Sequence, residues 1–139
     1  MIILDTNIVS ETAKLKPNPK VIDWLKNLPR QSTFTTVITL MELWSGTLRL
    51  PEGKRKMTLE KQTRIVTDQI YTGRILAFDL GAAEICGRLL TTNWTNGINT
   101  TIPDIQIAAI ALSRGFTLAT RNIADFQFEG LKLVNPWAE

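Results

Sequence analysis

Three large apolar residues, Ile2-Ile3-Leu4, run without a break into Asp5-Thr6-Asn7. So short a run with no polar face suits a strand buried on both sides, as in a parallel sheet covered by helices. In open α/β sheets, chemistry gathers beyond the carboxyl ends of the strands, and Asp5 falls at such an end. The same aspartate also suits a plainer role, because Asx residues after strands cap helices and turn the chain. These residues alone leave both roles open.

The rest of the chain alternates helix and strand signals. A short helix starts at Ile8 and runs to about Thr12, and residues 14–19 form a basic, proline-punctuated break. Asn18-Pro19 reads as an N-cap and first helical residue. Val21, Trp24, Leu25 and Leu28 then keep helical spacing as far as Pro29. Thr33-Phe34-Thr35 predicts a second strand. Thr39 and Glu42 match the S/T-x-x-E capping box, which predicts a helix from Thr39 to about Leu50. After the Pro51-Glu52-Gly53 loop, Lys54-Arg55-Lys56 opens a polar helix to about Tyr71. Its sparse apolar residues place it on the surface. Residues 74–78 predict a third strand. Asp79 caps the next helix, which buries Ala82, Ala83, Ile85, Cys86, Leu89 and Leu90 and ends near Gly97. A polar loop, 96–101, leads to a helix starting at Thr101-Ile102-Pro103-Asp104. That helix is apolar almost all round, so it belongs at the centre, with Gly115 as its C-cap. Residues 117–120 predict a fourth strand, 121–126 a polar turn, and 131–134 a fifth strand at the sheet edge. Together these predict a single domain, 1–139: a three-layer α/β/α sandwich around a mostly parallel sheet.

Composition then narrows the chemistry. The chain has no histidine, which excludes Ser-His-Asp and Cys-His catalysis, histidine-based RNA cleavage and His-rich zinc sites. Its one cysteine, Cys86, permits neither an internal disulfide nor a thiolate cluster, and it falls on the apolar face of a helix as a core residue. With 16 basic and 13 acidic residues, the net charge of +3 leans only mildly toward anionic partners. No apolar run approaches the roughly 20 residues of a membrane span, and no secretory leader is evident, so a cytoplasmic location is expected. An enzyme of this composition must work with carboxylates, hydroxyls, amides, Lys and Arg. Carboxylates with such partners are the ligand set for Mg2+ or Mn2+.

Four carboxylates fall at one predicted edge of the sheet. Asp5 ends the first strand, Glu42 lies in the first turn of the helix after the second, Asp104 lies in the first turn of the helix before the fourth, and Asp125 follows the fourth. Connecting helices run antiparallel to parallel strands, so strand carboxyl ends and helix amino ends share an edge. Each carboxylate has a local explanation as a cap or a dipole partner. Four together would repel one another without a counter-charge, and a divalent cation would supply it. Thr6, Asn7, Thr120 and Asn122 add neutral oxygens and amides at that edge to support the ligands. Lys14, Lys16 and Arg121 are candidates to grip phosphate.

Several stretches resemble the PIN-domain ribonucleases, in particular bacterial toxins of the VapC and FitB type. They are residues 2–7, the helix start Ile38-Thr39-Leu40-Met41-Glu42-Leu43, residues 104–111, residues 118–126, and the ending Val134-Asn135-Pro136-Trp137. The resemblance runs along essentially the whole chain in order. It implies an α/β/α sandwich and a Mg2+- or Mn2+-dependent hydrolysis of RNA phosphodiesters. It also implies that Asp5, Glu42 and Asp104 are the central acids, with Asp5 and Asp104 as direct metal ligands. For the fourth acidic position, Asn122 stands where some relatives carry an acid and Asp125 follows three residues later. Asp125 would bind the metal or orient its waters. A homodimer is implied, together with a cognate antitoxin of the VapB or FitA kind. The antitoxin would lay its C-terminal segment across the toxin groove and provide any operator-DNA contact.

Two other classes remain on the sequence. One is a phosphotransfer enzyme using Asp5, against which Asn7 occupies the place of the second aspartate that haloacid-dehalogenase-like enzymes need. The other is a catalytically silent module that kept the fold to bind an antitoxin or RNA.

Overall fold

The computed structural model describes residues 1–96 and 100–138, with the side chains of 94–96 left aside. Its strands are β1 (Ile2–Leu4), β2 (Thr33–Thr36), β3 (Ile75–Leu76), β4 (Thr117–Ala119) and β5 (Leu133–Val134). Its helices are α1 (Thr6–Thr12), α2 (Pro19–Lys26), α3 (Val37–Leu48), α4 (Lys54–Ile65), α5 (Leu80–Asn96) and α6 (Ile102–Arg114). The sheet order is β3-β2-β1-β4-β5. All the pairings among the described strands are parallel, with Ile3 beside Phe34 on one side and Leu118 on the other.

The two-residue alternation of the strands sorts their side chains into two cores. Ile3, Phe34, Leu118 and Leu133 pack with Ala82 and Cys86 of α5 and with Ile105 and Ile107 to Ala111 of α6. On the other face, Ile2, Leu4, Ala119 and Val134 pack with Ile8 and Val9 of α1 and Val21 of α2. Helix α3 serves both, giving Ile38 to the first core and Leu40 and Leu43 to the second. The expected three-layer sandwich is therefore present. The expected central helix is α6, in which Ile107 to Ala111 are wholly buried. It ends at Gly115, whose φ of 67° is left-handed and closes the last turn. Cys86 is buried and free, as expected of a core residue. Among the described residues, no helix is long and apolar enough to cross a membrane.

Local boundaries differ from expectation in places. Helix α3 begins at Val37, not Thr39, because the Thr36 hydroxyl accepts the Thr39 N–H at 3.1 Å and caps the helix. Thr39 therefore lies inside α3, and Glu42 sits in its second turn. The isosteric Thr36→Val removes this cap and should cost about 1 kcal/mol, read as a lower urea midpoint that Thr36→Ser restores. An unchanged midpoint would return the helix start to Thr39. The third strand keeps only two of its five expected residues. The polar helix turns inward near its end: α4 passes into a π-helical turn, Val66–Ile70, and Val66 and Tyr71 reach the second core. The wider turn rotates these side chains off the 3.6-residue spacing that had placed the segment on the surface. Asp79 caps α5 through the Ala82 N–H at 3.0 Å, but Ala83 is exposed rather than buried. The expected end near Gly97 and residues 97–99 of the 96–101 loop lie outside the described residues.

Candidate active site

Strand order reverses direction between β1 and β4, and such switch points open a crevice beyond the strand ends. Asp5 follows β1 and Thr120 follows β4, side by side at that crevice. The cleft there has a volume of about 380 Å3, and Asp5, Glu42 and Asp104 line it together with Thr6, Asn7, Ser10, Glu11, Lys14, Arg121, Asn122 and Trp137. Residues from β1, α3 and α6 thus converge although 99 positions separate Asp5 from Asp104.

Asp5 fills the plainer role that its sequence position left open, as a cap, and also lines the cleft. It caps α1 by accepting the Thr6 N–H on Oδ1 at 2.8 Å, and its Oδ2 accepts the Thr120 hydroxyl at 2.8 Å. Asp5 is only 4% exposed, and burial pushes its carboxyl up to about 6. The Thr120 and Thr6 hydrogen bonds oppose that rise, while the charges of Asp104 and Glu42 add to it. Asp104 is raised too, mainly by burial, and by the charges of Glu42 and Asp125.

Thr120 has its own anchor, because its oxygen accepts the Asn122 N–H at 3.1 Å. Its single proton is thereby turned toward Asp5, and the hydroxyl, fully buried, acts on the carboxylate and not on the cleft. Thr6 does the same for the second acid. Its hydroxyl donates to Glu42 Oε1 at 2.7 Å and lies 3.1 Å from the Thr39 hydroxyl. From its spacing to Glu42, Thr39 is expected only to cap the helix. Placed inside α3 and three residues before Glu42, it shares a helical face with that acid. Asn7 accepts the Arg121 N–H on Oδ1 at 3.3 Å and ties the two strand ends together.

Not every candidate lines the cleft. Asp125 is exposed and outside the lining, although its charge is felt at Asp104, while Asn122 does line it. Lys16 is exposed elsewhere. Lys14 lines the cleft but is paired with Glu11 at 3.0 Å. Glu11, unnoticed in the sequence, is a buried wall residue held below the usual carboxylate range by the Lys14 hydrogen bond and also by the Asn18 N–H at 3.1 Å. Trp24 packs in the second core, and Arg64 covers Trp44, so neither tryptophan faces the cleft.

The donor set fits a hard divalent cation. It consists of carboxylates, hydroxyls and amides, and beyond burial the neighbouring acidic charges add to the raised proton affinity of Asp5 and Asp104, which a cation would relieve. Among the described residues, no three acidic side chains are grouped so as to hold a metal ion by themselves.

A family model described as PIN domain matches residues 2–127. The plasmid stability protein StbB of Pseudomonas syringae pv. tomato is 36% identical over 137 residues, covering 99% of both chains. The VapC ribonuclease Y4jK of Sinorhizobium fredii is 34% identical over 137 residues, covering 99% of this chain and 98% of that one. The crystal structure of FitAcB from Neisseria gonorrhoeae superposes with a TM-score of 0.88 at 34% identity, over the whole of both chains. That of VapBC2 from Rickettsia felis, bound to a DNA fragment from its promoter, superposes at 0.79 with 26% identity, covering 97% of this chain and 98% of that one.

Proposed function

This chain belongs to the PIN-domain family, and we propose that it is a Mg2+- or Mn2+-dependent endoribonuclease acting as the toxin of a toxin–antitoxin pair. The observation that carries the reading is the convergence of Asp5, Glu42 and Asp104 on one open cleft, with Asp5 buried and its carboxyl pushed up to about 6. A structural cluster of acids would be expected to bring its own cation. Here, among the described residues, none of Asp5, Glu42 and Asp104 forms an ion pair, and Lys14 on the same cleft is taken by Glu11.

In this reading Asp5 and Asp104 hold the metal. When bound, the ion supplies a water of lowered pKa and neutralises charge growing on the phosphate. The residues around it do the positioning. Thr120 and the Thr6 N–H each take one oxygen of Asp5, which fixes the carboxylate plane. Thr6 takes Oε1 of Glu42 and leaves Oε2 to accept a proton from the attacking water. Asn7 and Asn122 present amides to substrate oxygens. Asp125 acts on Asp104 through its charge, and the exposed position supports a role in orienting waters over one as a ligand.

The partners follow from the relatives. The VapC relative is a ribonuclease, and the structural neighbours are toxin–antitoxin complexes, one bound to promoter DNA. We assign this chain a VapB- or FitA-like antitoxin, operator binding only through that antitoxin, a homodimeric state and a cytoplasmic site of action.

Purified free of antitoxin, the protein should cleave RNA with Mg2+ or Mn2+ and fail to do so in EDTA. Absence of both cleavage and Mn2+ binding, with antitoxin binding intact, would instead make it a silent interaction module.

A further inference from the structure

The ending Asn135-Pro136-Trp137 has no part in the chemistry above, yet Trp137 lines the acidic cleft. Asn135 builds this corner. Its Oδ1 accepts the Trp137 N–H at 3.0 Å, and its Nδ2 donates to the Arg121 carbonyl at 3.4 Å. Pro136 is buried and limits the backbone between them. The Arg121 N–H is meanwhile held by Asn7. The result sets the Arg121 guanidinium 5.1 Å from the centre of the Trp137 ring.

Stacking spends the face of a guanidinium and leaves its in-plane N–H donors free. Among the described residues, no carboxylate forms an ion pair with Arg121. A cation that rests on a ring, makes no ion pair among the described residues and shares the cleft with Asp5, Glu11, Glu42 and Asp104 faces the group those carboxylates would otherwise repel, although its charge is also felt by Glu11. Resting on the ribonuclease reading, we propose that Arg121, seated on Trp137 by the Asn135 turn, is a phosphate-gripping subsite for the RNA backbone next to the scissile bond. Trp137 and Asn135 are positioning residues that act through Arg121. The local chemistry is suited to this task. A planar fork matches phosphate oxygens, and a pre-seated side chain loses less freedom on binding.

The test is binding of a short mixed-sequence single-stranded RNA at increasing KCl, with every protein carrying Asp104→Asn so that the RNA stays intact. Arg121→Gln should lower the slope of log affinity against log salt by about 0.7, the share of one phosphate contact on a single strand. Trp137→Leu and Asn135→Ala, the second of which leaves the core filled, should each weaken binding about two- to five-fold. Neither should add to Arg121→Gln in a double variant, which a merely structural role would do. Lys54→Gln, an exposed cation on α4, should leave the slope unchanged. An unaltered slope in Arg121→Gln, full additivity, or an equal effect of Lys54→Gln overturns the subsite. An Asp104→Asn parent that binds no RNA at any salt overturns the ribonuclease reading beneath it, so the two failures are distinguishable.

Discussion

Asp5→Asn should slow RNA cleavage by about 1000-fold or more while making the metal-free protein more stable at neutral pH. On the proposed assignment of Asp5 as a ligand, the loss follows from weakening the hold on an ion that would contribute several kcal/mol of charge stabilisation, at ~1.36 kcal/mol per tenfold. The gain follows from the carboxyl itself. Its folded value of about 6 lies above the ordinary 3.8. Between those two values the folded chain binds more protons than the unfolded one, so stability is greatest at low pH and falls as pH rises through that window. At pH 7 the wild-type side chain is ionised in a site that disfavours it. The gap corresponds to roughly 3 kcal/mol at most. An amide avoids this cost and still accepts the Thr6 N–H, but it gives up the bond from the Thr120 hydroxyl to Oδ2, so the gain stays below that ceiling. We therefore expect a higher urea midpoint for Asp5→Asn at pH 7 and little difference at pH 4. Adding Mg2+ or Mn2+ should raise the wild-type midpoint and leave that of Asp5→Asn unmoved. A variant that loses stability at pH 7 would mean that Asp5 is there as a cap, with its charge satisfied by the fold.

Thr120→Val should cost about 10- to 100-fold in Mn2+ affinity and cleavage rate, the usual effect of deleting a group that orients a metal ligand. The substitution keeps the shape of a fully buried side chain and removes the hydroxyl that donates to Asp5 and accepts from Asn122. Thr120→Ser should recover most of both quantities. Mn2+ affinity measured by electron paramagnetic resonance separates this from a folding defect. Unfolding would abolish binding in a fraction of molecules, whereas a misaimed carboxylate weakens it in all of them. If Val and Ser behave alike, the hydroxyl has no part in holding Asp5.

Much of this site was legible one residue at a time. Ile2-Ile3-Leu4 and the apolar run of α6 declared themselves as buried because neither has a polar face, and the strand–helix alternation made the sheet parallel. A parallel sheet puts strand carboxyl ends and helix amino ends on one edge, which is why Asp5, Glu42 and Asp104 could be grouped before any coordinate was known. The start of α3 was read at Thr39 because Thr39 and Glu42 match a capping box, whereas Thr36 carries the cap. Only the hydrogen bond from Thr39 N–H to Thr36 decides it. The inward turn at Val66 and Tyr71 was hidden because a π-helical turn breaks the very spacing used to read helices.

The sequence by itself determined the layers, the buried helix, the acids and the exclusion of histidine chemistry, because these follow from local periodicity and residue type. The tertiary structure decided which polar group holds which acid. Thr120 reaches Asp5 across 115 positions and Thr6 reaches Glu42 across 36. It also decided that Lys14 is occupied by Glu11, that Asp125 stays outside the cleft, and that Arg121 rests on Trp137. A hydrogen bond or a stacked ring depends on a few tenths of an ångström and on angle, and spacing along a chain carries no such information between residues joined only through the fold.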